Sequence, residues 1–278
     1  SGMFALLGWL LVGGLAGGAV LVLLTGLFGD AITPYGNLIS YPLMFVPPML
    51  YASAKSSRNS INYGGCKLDS NHFSPVGAAM CVLLAVVGTL ALSFWADGLI
   101  ALLPDMPASL EAMLKELTNG NFFINFLTVS ILAPLCEEWL CRGMVLRGLL
   151  RSTSLRPGWS IVISALFFAL IHFNPWQAIA AFLMGCLFGY VYYRTGSLKL
   201  TMLMHFANNT FALVTGHIDS LKDADSWLDV MPVQQYAIIA AACFLLTALV
   251  VLEFRKVRLE SPSGNFDVLP SVFESQDI

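Results

Sequence analysis

The stretch Cys136–Arg142 reads Cys-Glu-Glu-Trp-Leu-Cys-Arg and lies inside an apolar run over about residues 122–150. Two adjacent carboxylates and a guanidinium are costly there, because a charged residue at the centre of a membrane helix raises the insertion free energy by about 2.5–3.5 kcal/mol. On a helix, Glu138 and Arg142 are four residues apart and share one face, where they can neutralise each other. Glu137 points about 100° away from that pair, which leaves it free for chemistry.

The composition of the chain indicates a membrane protein. Of its 278 residues, 57% are hydrophobic and only 11% are charged, whereas charged residues make up about 25% of a typical soluble protein. We therefore expect an all-α fold, a polytopic bundle of about eight transmembrane helices in the lipid bilayer. The formal net charge is -3 and no basic cluster occurs, so nucleic acid is not expected as a partner.

The apolar segments follow one another at short intervals, which indicates a single domain. We expect a transmembrane helical domain over residues 1–254, with the chemistry-bearing motifs at 136–209, and a polar cytoplasmic tail over residues 255–278. When loops are placed alternately on two sides, nearly all basic loop residues share one side; the exceptions are Lys115 and Lys222. By the positive-inside rule, both termini are then cytoplasmic.

Small residues predict where helices pack closely. The first apolar segment contains overlapping GxxxG pairs between Gly13 and Gly18, and the sixth contains Gly185 and Gly189. Such spacing lets two helix backbones approach each other in a membrane. We expect both segments to lie against a neighbouring helix on their glycine faces.

Further polar side chains interrupt the later apolar segments. His172 ends the fifth segment, and His205 and Asn209 lie one helical turn apart on the seventh. At 1.5 Å per helical residue, His172 and Glu137 lie at similar depths below the loops on the basic side. We therefore expect Glu137, His172, His205 and Asn209 to meet in one cavity that is reachable from the cytoplasm.

A carboxylate, two imidazoles and a carboxamide are the groups needed to hydrolyse an amide bond. Glu137 can take a proton from water, while His172 holds that water and relays the proton. His205 and Asn209 can donate hydrogen bonds to the developing oxyanion. The candidate nucleophiles are Thr128, Ser130, Cys141 and Ser164. None of them has a histidine one helical turn away, which disfavours a covalent mechanism.

Zinc is the alternative for the same site. Glu137, His172 and His205 offer one carboxylate and two imidazoles, which leaves an open position for water. The chain contains no HExxH motif, the usual helix of zinc proteases. We therefore expect no cofactor, and retain zinc as the alternative.

Intramembrane polar residues also serve structure alone. A single histidine or asparagine more often makes an interhelical hydrogen bond than it catalyses a reaction. We interpret the Glu138–Arg142 pair as a lock between helices that shapes the site, and Phe168, one turn before His172, as core packing. A set of polar residues converging from three helices favours chemistry instead.

Three motifs occur in order on successive apolar segments: Glu137-Glu138-x-x-x-Arg142, Phe168-x-x-x-His172 and His205-x-x-x-Asn209. Together they resemble the CPBP group of intramembrane proteases, which includes the type II CAAX prenyl endopeptidases, the Abi proteins and the bacteriocin-immunity proteins. The resemblance implies an eight-helix membrane endopeptidase of the glutamic type. Glu137 and His172 would activate water, and His205 and Asn209 would form the oxyanion hole. Members often carry Phe immediately before the arginine, where this chain has Cys141.

The resemblance leaves the substrate open. The eukaryotic branch trims prenylated CAAX proteins, but the compact loops of this chain look more like those of a member from the bacterial inner membrane. We therefore expect a membrane-associated protein or peptide as substrate. A non-catalytic immunity or scaffold protein of the same fold is an alternative; a proton-coupled transporter is disfavoured because the polar set has no inverted-repeat counterpart.

Overall fold

The computed structural model describes residues 2–63, 69–110, 121–151, 155–221, 224 and 226–265, with the backbone alone described for residues 55–63. Within these ranges the chain is helical and has no β-strand, which confirms the predicted all-α fold. Eight long helices lie within them: α1 (Gly2–Phe28), α2 (Gly36–Tyr63), α3 (Ala78–Ile100), α4 (Phe122–Leu150), α5 (Pro157–Leu170), α6 (Pro175–Thr195), α7 (Leu198–Thr215) and α8 (Val233–Arg255).

Length and hydropathy identify the segments that can cross a membrane. Five segments qualify in the described part of the chain: Gly2–Ala54, Ala78–Ile100, Phe122–Leu150, Pro175–Thr195 and Val233–Arg255. The first of them contains α1 and most of α2, joined by a 3₁₀ turn at Gly29–Tyr35. Helix α5 is apolar but has only 14 residues. The chain is therefore an integral membrane protein, as its composition predicts.

Helices α1 and α2 pack with their backbones in close contact. A Cβ atom on Gly13 would overlap the carbonyl oxygen of Met44, and one on Gly17 would lie 2.8 Å from the carbonyl oxygen of Ser40. Both glycines are buried, as the GxxxG spacing predicts. A larger residue at either position would push α1 away from α2.

Helices α5 and α6 approach each other in the same way. A Cβ atom on Gly185 would lie 2.9 Å from the Cα of Ala165, and one on Gly189 would lie 3.1 Å from a side-chain carbon of Ile161. The close approach predicted for the sixth apolar segment is confirmed. It holds α5, which ends two residues before His172, firmly against α6.

Contacts between the connecting segments separate the helix ends into two groups. At one end of the bundle, the Ser70 N–H donates to the Gly196 carbonyl and the Arg258 N–H donates to the Ser74 carbonyl, both at 2.8 Å. This end joins the segment before α3, the turn between α6 and α7, and the segment after α8. These are the segments that the alternating topology places on one side.

The other end of the bundle joins the remaining connections. The Trp227 N–H donates to the Asp97 carboxylate at 3.0 Å, which ties the segment before α8 to the end of α3. The Trp176 indole donates to the Pro104 carbonyl at 2.8 Å, which ties the start of α6 to the segment after α3. Helices α3, α6, α7 and α8 therefore run in alternating directions between the two ends.

The polar tail begins as a folded segment. Over residues 256–265 it returns along the helix ends, and the buried Asn265 side chain donates to the Arg194 carbonyl at 2.7 Å. The Arg194 guanidinium in turn donates to carbonyls at the C-terminal end of α8, including that of Phe254 at 3.2 Å. A cation at this position satisfies carbonyls that a helix end leaves unpaired. The rest of the predicted tail, residues 266–278, lies outside the described residues.

We predict that Gly13→Ala destabilises the protein, because the added methyl group overlaps the α2 backbone. The matched control is Gly18→Ala on the same helix, where a Cβ atom meets nothing within 4 Å. Thermal unfolding in detergent should show a clear fall in Tm for Gly13→Ala and an unchanged or slightly raised Tm for Gly18→Ala. Equal effects of the two substitutions would contradict the described packing.

Candidate active site

Helix α4 is α-helical only in part. Two π-helical segments, Phe126–Leu132 and Trp139–Leu146, flank the α-helical segment Ala133–Glu138. In the second, the Arg147 N–H donates to the Arg142 carbonyl five residues earlier, as in a π turn. Single π turns inside helices are frequent at functional sites. The two glutamates therefore lie between two irregular segments, a feature that the residue spacing does not reveal.

Glu138 is fully buried and accepts from two side chains. Its Oε1 lies 2.7 Å from Nη1 of Arg142 and 3.1 Å from Nδ1 of His205. The Arg142 side chain, 1% exposed, also donates to the Gly185 carbonyl at 3.2 Å. The predicted Glu138–Arg142 ion pair is thus present, and it connects α4 with both α6 and α7.

Two aromatic rings cover the Arg142 guanidinium. Its Cζ lies 4.5 Å from the centre of the Phe168 ring and 5.2 Å from that of Phe188, which are cation–π distances. The Phe168 ring also lies perpendicular to the rings of His172 and His205, with centroids 4.9 Å and 5.5 Å away. Phe168 was predicted to be core packing; in addition, it contacts three polar residues of the site.

Glu137 turns away from this cluster, towards α2 and α5. Its Oε1 accepts a hydrogen bond from the Tyr41 phenol. Its Oε2 is buried, has no hydrogen-bond partner among the described residues, and lies 4.0 Å from Nε2 of His172. Nδ1 of His172 lies 2.7 Å from the Phe168 carbonyl, which can only accept, so this nitrogen carries the proton. In the neutral ring, Nε2 then presents its lone pair.

The separation between Glu137 and His172 suits one bridging water. A distance of 4.0 Å is too long for a direct hydrogen bond. A water oxygen about 2.8 Å from both Oε2 and Nε2 fits this geometry and can donate one proton to each. The two side chains are therefore placed to polarise a single water molecule from two directions.

His205, the second histidine of the site, is held by a hydrogen bond to Glu138. It is buried on α7, and its Nδ1 donates to Glu138 because a carboxylate oxygen can only accept. This contact orients the ring and leaves Nε2 for another partner. Asn209 follows one turn later on the same helix, as the spacing predicts.

Asn209 contacts α4 about two helical turns before the glutamates. Its amide nitrogen donates to the Val129 carbonyl at 2.9 Å, and its oxygen accepts from the Asn208 amide at 3.1 Å. In the described part of the chain, it makes no hydrogen bond with Glu137 or His172. The structure thus places His172 near Glu137 and His205 against Glu138, with both imidazoles beside Phe168, and it places the carboxamide further along α7.

The predicted zinc ligands do not form a ready metal site. Glu137 and His172 face each other, but His205 is turned towards Glu138 through Nδ1. Within the residues that the structure describes, no group of three His, Cys, Asp or Glu side chains lies close enough to hold a metal ion. The Nδ1 contacts leave Nε2 of both histidines available, so zinc remains the alternative for this site.

Two residues of the site are absent from the motifs. Tyr41 comes from α2, whose sequence is a generic apolar segment; its only signal is a hydroxyl that needs a polar partner when buried. Phe188 comes from α6, and nothing in the sequence distinguishes it from the other aromatic residues of that helix as a contact of Arg142. Neither contact can be inferred from spacing along one helix.

The motif residues come from α4, from α5 and the turn after it, and from α7, and one family model matches the region that contains them all. Residues 119–211 match the Type II CAAX prenyl endopeptidase Rce1-like family. The match covers about a third of the chain and includes all three motifs. No curated protein and no solved structure matches the chain significantly. The resemblance inferred from the motifs is confirmed, and the Rce1-like region indicates a CAAX-type protease in a membrane-helical fold.

Replacement of Arg142 by Met should destabilise the protein strongly. It leaves the buried Glu138 carboxylate without its cationic partner, and loss of one partner of a buried ion pair costs about 3–5 kcal/mol. Equilibrium unfolding in mixed micelles measures this change in the free energy of unfolding.

The matched control for this prediction is the exposed pair of Lys256 and Glu253, whose charged atoms are 2.6 Å apart. Lys256→Gln should change the free energy of unfolding by less than about 1 kcal/mol, because water screens exposed pairs. If Arg142→Met unfolds as wild type does, the ion pair does not hold the bundle together.

Proposed function

We propose that the chain is an intramembrane endopeptidase that hydrolyses a peptide bond in a membrane-associated protein or peptide. The observation that carries this proposal is the buried Glu137 carboxylate, whose free Oε2 lies 4.0 Å from Nε2 of His172 inside the Rce1-like region. A buried carboxylate oxygen without a hydrogen-bond donor is costly, and Oε2 of Glu138 is in the same state among the described residues. What distinguishes Glu137 is the imidazole nitrogen that faces its Oε2, and a role in taking a proton from water accounts for this arrangement.

In this mechanism Glu137 is the general base. A water molecule held between Oε2 of Glu137 and Nε2 of His172 gives one proton to Oε2, while its oxygen attacks the carbonyl carbon of the scissile bond. The Phe168 carbonyl holds the His172 ring so that Nε2 keeps facing the water. The protonated Glu137 then gives its proton to the leaving amine, and no covalent intermediate forms.

We assign stabilisation of the oxyanion to His205 and Asn209. Because Nδ1 of His205 donates to Glu138, its Nε2 can donate to an oxyanion only when both ring nitrogens are protonated. The Glu138 carboxylate lies where it offsets that charge. Asn209 has a second amide proton, because it donates only one to the Val129 carbonyl. A rearrangement of the α7 side chains on substrate binding would bring this second proton to the oxyanion.

The proposed enzyme has eight membrane-embedded helices with both termini cytoplasmic, and we place it in a bacterial inner membrane. The alternating helix directions and the two groups of connecting segments support an even number of crossings. The concentration of basic residues in one of these groups supports the orientation. The same topology makes residues 255–278 a cytoplasmic tail of a single transmembrane domain.

We propose a reaction without a metal cofactor. The separation of Glu137 and His172 supports it, because a carboxylate oxygen and an imidazole nitrogen 4.0 Å apart suit proton transfer through one water. Zinc held by these three residues is the competing mechanism, and it makes a different prediction for chelators.

The test is cleavage of fluorescence-quenched substrates by the purified protein. The panel contains a prenylated peptide ending in a CAAX motif, as the family description suggests, and unprenylated transmembrane peptides. Glu137→Gln and His172→Ala should each lower kcat by roughly 100- to 10,000-fold, the usual contribution of general acid–base catalysis. Glu253→Gln on α8 is the control, since that glutamate is exposed and far along the chain from the motifs.

Chelator treatment separates the two mechanisms. The glutamate mechanism predicts full activity in the presence of a chelator, whereas activity that is lost and then restored by zinc would establish the metal mechanism. A Glu137→Gln protein as active as wild type would contradict the proposal. A biological function that survives this substitution would favour the immunity or scaffold alternative.

A further inference from the structure

A tyrosine from outside the Rce1-like region contacts the Glu137 carboxylate. Tyr41 lies on α2, and its hydroxyl donates a hydrogen bond to Oε1 of Glu137. Phe45, one turn further along α2 and fully buried, packs against the Tyr41 ring with the ring centroids 5.4 Å apart. The phenol therefore has a fixed partner on α4 and a fixed neighbour on its own helix.

Helix α1 supports the turn that carries Tyr41. The two backbone contacts between α1 and α2 are made at Ser40 and Met44, on either side of Tyr41, and each requires a glycine on α1. This part of α2 therefore cannot shift towards or away from α1 without breaking close packing. The hydroxyl is held at a defined distance from α4 by two helices that carry none of the family motifs.

The two oxygens of Glu137 have different surroundings. Oε1 accepts from Tyr41, whereas Oε2 has no hydrogen bond in the described part of the chain and faces Nε2 of His172. Rotation about the last bond of a glutamate side chain is soft, because its terminal torsion is broad and roughly two-fold. A donor bound to one oxygen therefore determines where the other oxygen points.

We propose that Tyr41 is a positioning residue that fixes the Glu137 carboxylate so that Oε2 acts as the base. The inference rests on the proposed peptidase function. In this role the phenol keeps its proton and remains bound to Oε1 while Oε2 takes a proton from water and later releases it. Tyr41 contributes through Glu137, and it makes the first two helices part of the active site.

The kinetic test is Tyr41→Phe, which removes one oxygen and keeps the ring that packs on Phe45. Loss of a hydrogen bond to a charged group should lower kcat by roughly 10- to 100-fold. Since Tyr41 does not touch the substrate in this proposal, KM should stay within about twofold of wild type. The Tm should stay close to that of wild type.

The matched control is Tyr236→Phe on α8. The Tyr236 hydroxyl accepts from the Gly98 N–H at 2.6 Å and donates to the Phe94 carbonyl at 2.9 Å, in contacts that involve only α3 and α8. Its removal should lower the Tm and leave kcat unchanged. A purely structural role of Tyr41 would give this same pattern, so the two variants distinguish positioning from packing.

Infrared spectroscopy supplies a readout that does not depend on turnover. The carboxyl band of Glu137 is the band that disappears in Glu137→Gln. It should shift in Tyr41→Phe, which loses a hydrogen bond to Oε1, and should stay in place in Tyr236→Phe.

The combined results decide the proposal. A lowered kcat with constant KM and a shifted band supports it. Unchanged kcat, or a band that does not move, overturns it. An inactive wild-type protein would overturn the proposed peptidase function and with it the catalytic role of Tyr41, whereas a shifted band would still show that Tyr41 holds the Glu137 carboxylate.

Discussion

The buried ion pair between Glu138 and Arg142 is the constraint on which the rest of the structure depends. Charges in a water-excluded interior are costly unless hydrogen bonds satisfy their remaining atoms, so both groups need partners on neighbouring helices. Arg142 finds the Gly185 carbonyl and the Phe168 ring, and Glu138 finds His205. Together these contacts fix α5, α6 and α7 around α4, and they place the second histidine at the same time.

The position of Glu137 follows from that of Glu138. Because Glu137 and Glu138 are adjacent on a helix, they face different directions, and only one of them can join the ion pair. Glu137 instead lies near His172, whose ring is held by the Phe168 carbonyl of α5. The chain then turns sharply into α6 through Phe173, a non-glycine residue with a φ of 51°. Strained backbone of this kind is often found beside functional groups.

The sequence predicts those features that depend on residue type and on spacing along one helix. The ion pair follows from its four-residue separation, and the close approach at Gly13 follows from the GxxxG spacing. Features that depend on contacts between helices or on irregular geometry cannot be predicted in this way. The π segments of α4, the phenol of Tyr41 and the bond from Asn209 to the α4 backbone belong to this group. The relative depths of Glu137 and His172 could be predicted because both lie a known number of residues from charged helix ends.

The most direct measurement is a double-mutant cycle in kcat for Glu137→Gln and His172→Ala. The central claim is that both side chains act on one water molecule held between them. Residues that act as a unit show strongly non-additive losses, so the double variant should be no slower than the slower single variant. If the two losses multiply instead, the carboxylate and the imidazole work independently, and the account of a shared water is wrong.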